Sequence, residues 1–208
     1  ADCVPDKQWL QTALNGLRKG MQMVGGPVSD ALPFRPVASA DNILQFPDLP
    51  EKRPEDKLDL MPGCNLGVPR EAFKTTGGFP NENSGEDTLF TSKISAIWPS
   101  KCRYLPNMIV FHKGRQNLTE LWYHHYNFGY QRGMRGSRIT KKQQDLGRFR
   151  SVIPLVILKR LIYIFSSIIR WNRTNAGIYF ALLPLLIFGL TGYAIGFWRG
   201  CQSAYKET

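Results

Sequence analysis

An α/β domain followed by an interfacial helix and a membrane-crossing helix is the fold class this sequence predicts. Three observations point to it. Over the first 112 residues, segments with helical apolar spacing alternate with short β-rich runs. Basic charge then accumulates: the first 112 residues carry 12 Lys and Arg against 13 Asp and Glu, the remaining 96 carry 15 against 3. Finally, the chain closes on two apolar segments, 151–170 and 176–198, the second without a charge. The first part therefore has an ordinary globular surface. A basic region leading into apolar segments suits anionic lipid headgroups rather than nucleic acid.

Residues 1–20 open on a turn at Val4-Pro5-Asp6. Trp9, Leu10, Ala13, Leu14 and Leu17 then recur at helical spacing, and Gly20 closes the helix, which should lay one apolar face on a sheet. Residues 21–28, MQMVGGPV, read as a buried strand ending at Gly25-Gly26-Pro27. Residues 29–60 hold Pro33, Pro36, Pro47, Pro50 and Pro54 among mixed charges. They read as a long surface excursion with some short helix, and no site residue is assigned to them.

The most informative stretch is 65–90, NLGVPREAFKTTGGFPNENSGEDTLF. Gly77-Gly78 opens the backbone between two apolar plugs, Phe73 and Phe79, while Asn65, Asn81, Asn83 and Ser84 are turn formers. Ser84 is a good N-cap, which puts Glu86 and Asp87 in the first turn of a helix continued by Leu89, Phe90, Ile94, Ile97 and Trp98. Two readings of this acidic pair stand side by side. It can be a capping box favoured by the helix dipole, or a pair of carboxylates at a cleft edge. Further on, Met108–Phe111 reads as a short strand ending at His112, and Arg115 follows after a Lys-Gly step. In residues 117–138 aromatics mix with Arg, and Leu121, Trp122, Tyr126 and Phe128 should make helical contacts to the domain.

In 151–170, Lys159, Arg160, Tyr163, Ser166, Ser167 and Arg170 line one helical face, opposite Leu161, Ile162, Ile164, Phe165, Ile168 and Ile169. Two charges in mid-segment cost several kcal/mol at a bilayer centre, so an amphipathic helix lying in the interface is expected, with a second crossing as the alternative. The uncharged 176–198 stretch has 23 residues. As a helix it spans about 34 Å, against about 30 Å of hydrocarbon. Lys141, Lys142, Arg148, Arg150, Arg170 and Arg173 precede it and only Arg199 and Lys206 follow, which puts the preceding domain on the cytoplasmic side of the inner (plasma) membrane. The four cysteines, Cys3, Cys64, Cys102 and Cys201, are far apart and form no Cys-x-x-Cys or Cys/His motif. They read as free thiols in a reducing compartment, without a zinc site.

Taken together, Asn65, Leu66-Gly67-Val68, Arg70, Phe73, Gly77-Gly78-Phe79 and Glu86-Asp87 resemble the acceptor-side region of family 2 glycosyltransferases. Asp2 ahead of Cys3-Val4-Pro5 and Trp9 resembles the end of that family's Asp-x-Asp motif, and Gly129-Tyr130-Gln131-Arg132-Gly133 its late Gly-Tyr-x-Arg-Gly step. The Gln-x-x-Arg-Trp motif of processive synthases is missing from the sequence, which favours single-sugar transfer.

The resemblance implies the C-terminal portion of a GT-A (Rossmann-like) domain over 1–135, then a basic linker over 136–150, an amphipathic helix over 151–171 and a transmembrane helix over 176–198. It implies Asp87 as catalytic base, and Glu86, Gly77, Gly78 and Asn65 at the acceptor. Arg115 and Arg132 would meet the donor diphosphate, and Asp2 and His112 would hold Mg²⁺ or Mn²⁺. The implied partners are a nucleotide-sugar donor, a lipid-linked or saccharide acceptor, and the membrane. The start at Ala1 reads as the middle of a longer protein whose nucleotide-binding half lies upstream, so the piece alone is expected to be inactive. The rival reading is a non-catalytic, membrane-anchored binding or scaffold protein with a basic lipid-facing surface.

Overall fold

Short strands and a set of long helices divide the chain into two units, seen in a computed structural model that describes residues 2–82, 84–173 and 176–206. Asn83, among the turn formers, lies outside the described residues. The first unit is Ala1–Ala31 with Asp48–Lys113, the second Leu32–Pro47 with Gly114–Thr208. The first is α/β, and the second is helical and contains both apolar segments.

In the first unit, β1 (Cys3–Pro5), β3 (Val28–Asp30) and β7 (Val110–His112) form one sheet in the order β1-β7-β3. β7 runs antiparallel to β1 and parallel to β3. A second sheet has the order β4-β6-β2-β5, from β2 (Met23–Gly25), β4 (Asp56–Lys57), β5 (Leu66–Gly67) and β6 (Cys102–Tyr104). The single strand expected over 21–28 is thus two strands in two sheets. Pro27 has no N–H for a ladder, and a side chain on Gly26 would collide with the carbonyl oxygens of Leu105 and Met108. The chain must turn there.

Helix α1 (Trp9–Arg18) packs Trp9, Ala13 and Leu17 on Val24 and Met108. Leu10 and Leu14, expected on the same face, are exposed, because they lie one residue round the helix from that stripe. Helix α3 (Arg70–Thr75) is closed by the glycine pair. Gly77 N–H donates to Lys74 O at 3.1 Å and Gly78 N–H to Phe73 O at 2.9 Å, both glycines having φ near +75° (78° and 70°). The pair is therefore a helix stop that only glycine adopts without strain. Phe73, Phe79 and Phe90 meet as one aromatic cluster, with ring centroids 4.4–6.0 Å apart. Helix α4 (Glu86–Ile97) follows, with Glu86 and Asp87 in its first turn. Its N-cap is Gly85 at φ 74°, not Ser84.

The second unit is built around α8 (Ala176–Lys206). The proline-rich 29–60 stretch is not wholly a surface excursion. It contributes α2 (Pro36–Gln45), which buries Ala38, Ala40, Asp41 and Leu44. Pro36 sits in the first turn, where its missing N–H costs nothing, so a residue that reads as a breaker starts a packed helix. Leu44 joins Leu121 of α5 (Leu118–Ile139), Ile164 and Ile168 of α7 (Val152–Trp171), and Leu182, Leu186 and Leu190 of α8 in one core.

Helices α5 and α8 approach backbone to backbone. A side chain on Gly129 or Gly133 would run into the carbonyls of Tyr193 or Phe197, and one on Gly196 or Gly200 into those of Tyr126 or Tyr130. Two stripes of small residues at four-residue spacing thus face each other. Both α7 and α8 are long and apolar enough to cross a membrane. The span expected at 176–198 differs in its second half, where Gly189, Leu190, Tyr193, Ala194, Trp198 and Cys201 are enclosed by protein. On α7 the expected polar face is also partly taken up. Arg160 Nη2 donates to Leu44 O at 2.9 Å and its guanidinium lies 5.2 Å from the Tyr193 ring. Its exposed apolar residues are Leu155, Leu158, Ile162 and Ile169.

Leucine at position 196 must force α5 and α8 apart. Gly196→Leu is expected to cost about 1–3 kcal/mol, the usual penalty of overpacking, read as a lowered unfolding temperature of the detergent-solubilised protein. Leucine at Gly177, where nothing lies within 4 Å of the would-be side chain, should leave that temperature nearly unchanged.

Candidate functional site

Asp87 is held rather than loose. Its Oδ2 accepts from the Gly63 N–H at 2.9 Å, and Oδ1 accepts from the Thr88 N–H at 2.6 Å and the Thr88 hydroxyl at 3.3 Å. An ionised carboxylate offers about four acceptor positions, so these three donors leave room for one more. The side chain is half-buried, in the first turn of α4, where the helix dipole favours negative charge. Glu86 beside it is likewise half-buried.

The Gly63 donor belongs to a single 3₁₀ turn, Gly63–Asn65, and this turn is fixed by Asn65. Asn65 is fully buried. Its Nδ2 donates to Pro27 O at 2.7 Å and Met108 O at 2.8 Å, and its Oδ1 accepts from Trp9 Nε1 at 2.7 Å. The acceptor-contacting role expected for Asn65 is therefore corrected. Both amide hydrogens and the amide oxygen are engaged inside the fold, and the residue positions the turn. Gly78 is also buried, closed over by the Phe73 ring, whereas Gly77 is exposed with nothing within 4 Å of where a side chain would start.

Asp2 and His112 come together through strand register. Cys3 and His112 are direct partners in the β1–β7 ladder, so their side chains leave the sheet on one face. The Lys113 N–H donates to Asp2 O at 2.7 Å and extends the pairing. His112 Nε2 lies 3.7 Å from Asp2 Oδ2, and Cys3 Sγ lies 3.5 Å from Asp2 Oδ1. The ligating atoms of Asp2, Cys3 and His112 all lie within 4.8 Å of one another. His112 is buried and Asp2 exposed, so the group opens outward at the carboxylate.

Cys64 lies in the same 3₁₀ turn as Gly63. Burial raises the Cys3 thiol to about 11, with the Asp2 carboxylate adding to the effect. Cys64 is pushed higher still, by burial first and then by the charge of Cys3, Asp2 and Asp87. No sequence motif joins Cys3, Cys64 and Gly63 to this place; only the β1–β7 register and the turn do.

The donor set suits a divalent ion. A single carboxylate with substrate phosphate oxygens is a usual magnesium arrangement, and the His112 imidazole is a ligand that transition ions take more readily.

Arg115 and Arg132 belong to the second unit. Arg115 Nη2 lies 3.1 Å from His124 Nδ1, and its backbone N–H donates to Asp41 Oδ2 at 2.9 Å. Arg132 is exposed on α5, and its carbonyl accepts from Gln143 Nε2 at 3.3 Å. Asp41, to which the sequence assigned nothing, is fully buried and also bonds His125 Nε2 at 2.9 Å and Gln45 Nε2 at 3.0 Å. Burial alone would raise its carboxyl. The hydrogen bonds from His125 and the Arg115 N–H outweigh that and hold it below the ordinary 3.8.

No family model, curated protein or solved structure matches this chain.

Two outcomes are expected. Asn65→Ala strands two carbonyls and an indole N–H at about 1–3 kcal/mol per buried group, so the first unit should lose several kcal/mol in chemical denaturation. Because the folded Asp41 value lies below the unfolded one, its stabilisation is complete above the ordinary carboxylate range and lost as pH falls through the folded value. Acid unfolding curves should therefore be steeper for the native protein than for Asp41→Asn, which starts less stable at neutral pH and loses less on acidification.

Proposed function

We propose that this chain is the acceptor-side part of an inverting, metal-dependent glycosyltransferase of the family 2, GT-A kind. It transfers one sugar from a nucleotide-sugar to a membrane-linked acceptor in cell-envelope or exopolysaccharide synthesis. The observation that carries the reading is the fixed place of Asp87 in the first turn of α4, where its Oδ2 accepts from the Gly63 N–H at 2.9 Å. A half-buried carboxylate held by two backbone N–H groups, with one acceptor position left, is suited to taking a proton from an alcohol.

In the proposed reaction Asp87 removes the acceptor hydroxyl's proton. The oxygen's electron pair forms a bond to the sugar C1 on the face opposite the diphosphate. The C1–O bond to the diphosphate breaks, and that group leaves with the bonding pair, so the configuration inverts. Asp2 and His112 would hold the divalent ion, which when bound supplies positive charge for the departing diphosphate. Glu86 orients the acceptor or its loop. Two helices long and apolar enough to cross a membrane support confinement of enzyme and lipid-linked acceptor to one surface. The basic residues before them favour a cytoplasmic catalytic face at the inner (plasma) membrane.

Asp87→Asn keeps the shape and removes the base. In membranes carrying the full-length protein, a donor screen with and without Mn²⁺ should find transfer that falls about 10²–10⁴-fold in the variant, with nucleotide-sugar binding unchanged. A variant that transfers at the native rate overturns the assignment of Asp87.

A further inference from the structure

We propose that Cys3 is a third metal ligand, and that Asp2, Cys3 and His112 form a centre for a thiophilic divalent ion, zinc above all. The inference rests on the transferase reading only in placing this centre beside the donor diphosphate; the ligand geometry is independent of it. Sequence spacing argued against zinc, since Cys3 and His112 lie far apart in the chain with no motif between them. The fold removes that objection, because the two are direct cross-strand partners.

The distances fit. Zinc binds carboxylate oxygen and imidazole nitrogen at about 2.0–2.2 Å and thiolate sulfur at about 2.3 Å in a tetrahedron, which sets neighbouring ligand atoms roughly 3.3–3.7 Å apart. Here His112 Nε2 lies 3.7 Å from Asp2 Oδ2 and Cys3 Sγ lies 3.5 Å from the other carboxylate oxygen, Oδ1. The widest gap is under 4.8 Å, which a small side-chain rotation closes. Of the three ligands His112 is buried, Cys3 half-buried and Asp2 exposed, which leaves the fourth position on the Asp2 side. That is the pattern of a zinc site open to an added ligand, and a phosphate oxygen or water suits it. Sulfur is what separates the ions: Mg²⁺ and Mn²⁺ favour oxygen, while zinc and cobalt gain from a thiolate. Zinc therefore competes with the ion that supports transfer, and Cys3 sets the preference between them.

Cobalt(II) reports the ligand set directly. Anaerobic titration of the detergent-purified full-length protein with Co²⁺ should give the visible bands of a four-coordinate ion and a near-ultraviolet sulfur-to-cobalt charge-transfer band. Cys3→Ser should lose the charge-transfer band and bind Zn²⁺ at least about tenfold more weakly, with Mn²⁺ affinity nearly unchanged. Cys64→Ser should keep the band. Cobalt binding without a sulfur band overturns the proposal, as does a band that survives Cys3→Ser, and as does failure to bind cobalt at all. Sugar transfer retained in any of those cases leaves the transferase reading standing; a Cys3-dependent band in a protein that transfers no sugar rejects that reading and upholds the centre.

Discussion

One buried amide organises the first unit. Asn65 ties together three parts of the chain: the α1 start through Trp9, the strand break through Pro27, and the approach to β7 through Met108. With both amide hydrogens and the oxygen bonded in a fully buried side chain, a shift leaves a donor or acceptor unpaired at a cost of about 1–3 kcal/mol. The consequence reaches the carboxylate. Gly63, which donates to Asp87, lies two residues before Asn65 in the same 3₁₀ turn. A buried amide therefore fixes the turn that holds the Asp87 carboxylate.

The second unit depends on the opposite device, the absence of side chains. Gly129 and Gly133 on α5 face Gly196 and Gly200 on α8 so closely that each would-be Cβ meets the other helix's backbone. Dispersion contacts along two backbones hold such a pair without a hydrophobic drive, which is why the arrangement recurs among helices in lipid. Here one partner, α5, carries Trp, Tyr, His and Arg, and its polar end is held by Asn117, whose Oδ1 accepts from the Glu120 N–H at 2.8 Å. The second half of α8 is thus a helix of lipid-like composition wrapped by a polar one. Exposed apolar surface is concentrated instead on α7, at Leu155, Leu158, Ile162 and Ile169, and early in α8, at Ile178 and Phe180.

Much of this was legible in the order of residues, and what was not has definite causes. Helical spacing located α1, α4, α5, α7 and α8, because each shows an apolar or aromatic pattern longer than two turns. Positions 86 and 87 fell in a first turn as expected, although the left-handed Gly85, not Ser84, starts the helix. Three readings failed where a local signal was overruled by a distant partner. Pro36 looked like punctuation and begins a helix; MQMVGGPV looked like one strand and is shared between two sheets; Asn65 looked like a surface contact and is a core post. Asp41 was silent for the same reason, since its partners lie at positions 115 and 125.

Register explains why the proposed metal ligands could be only half seen in the sequence. A residue two places from the chain's first and another at a strand end carry no mutual periodicity, so their meeting follows from pairing alone. In an antiparallel pair, a slip of one residue turns every side chain to the other face. Cys3 opposite His112 therefore means that the thiol, the imidazole and the preceding Asp2 stand or fall together as a cluster. The same alignment makes sulfur the residue that distinguishes this place from an oxygen-only cation site. Asp2 by itself would accept any hard divalent ion, and His112 would sharpen the choice only slightly. With a thiol in the same sphere, discrimination between ions becomes a property of one strand's alignment, and the chemistry of the site is written in the sheet rather than in any stretch of sequence.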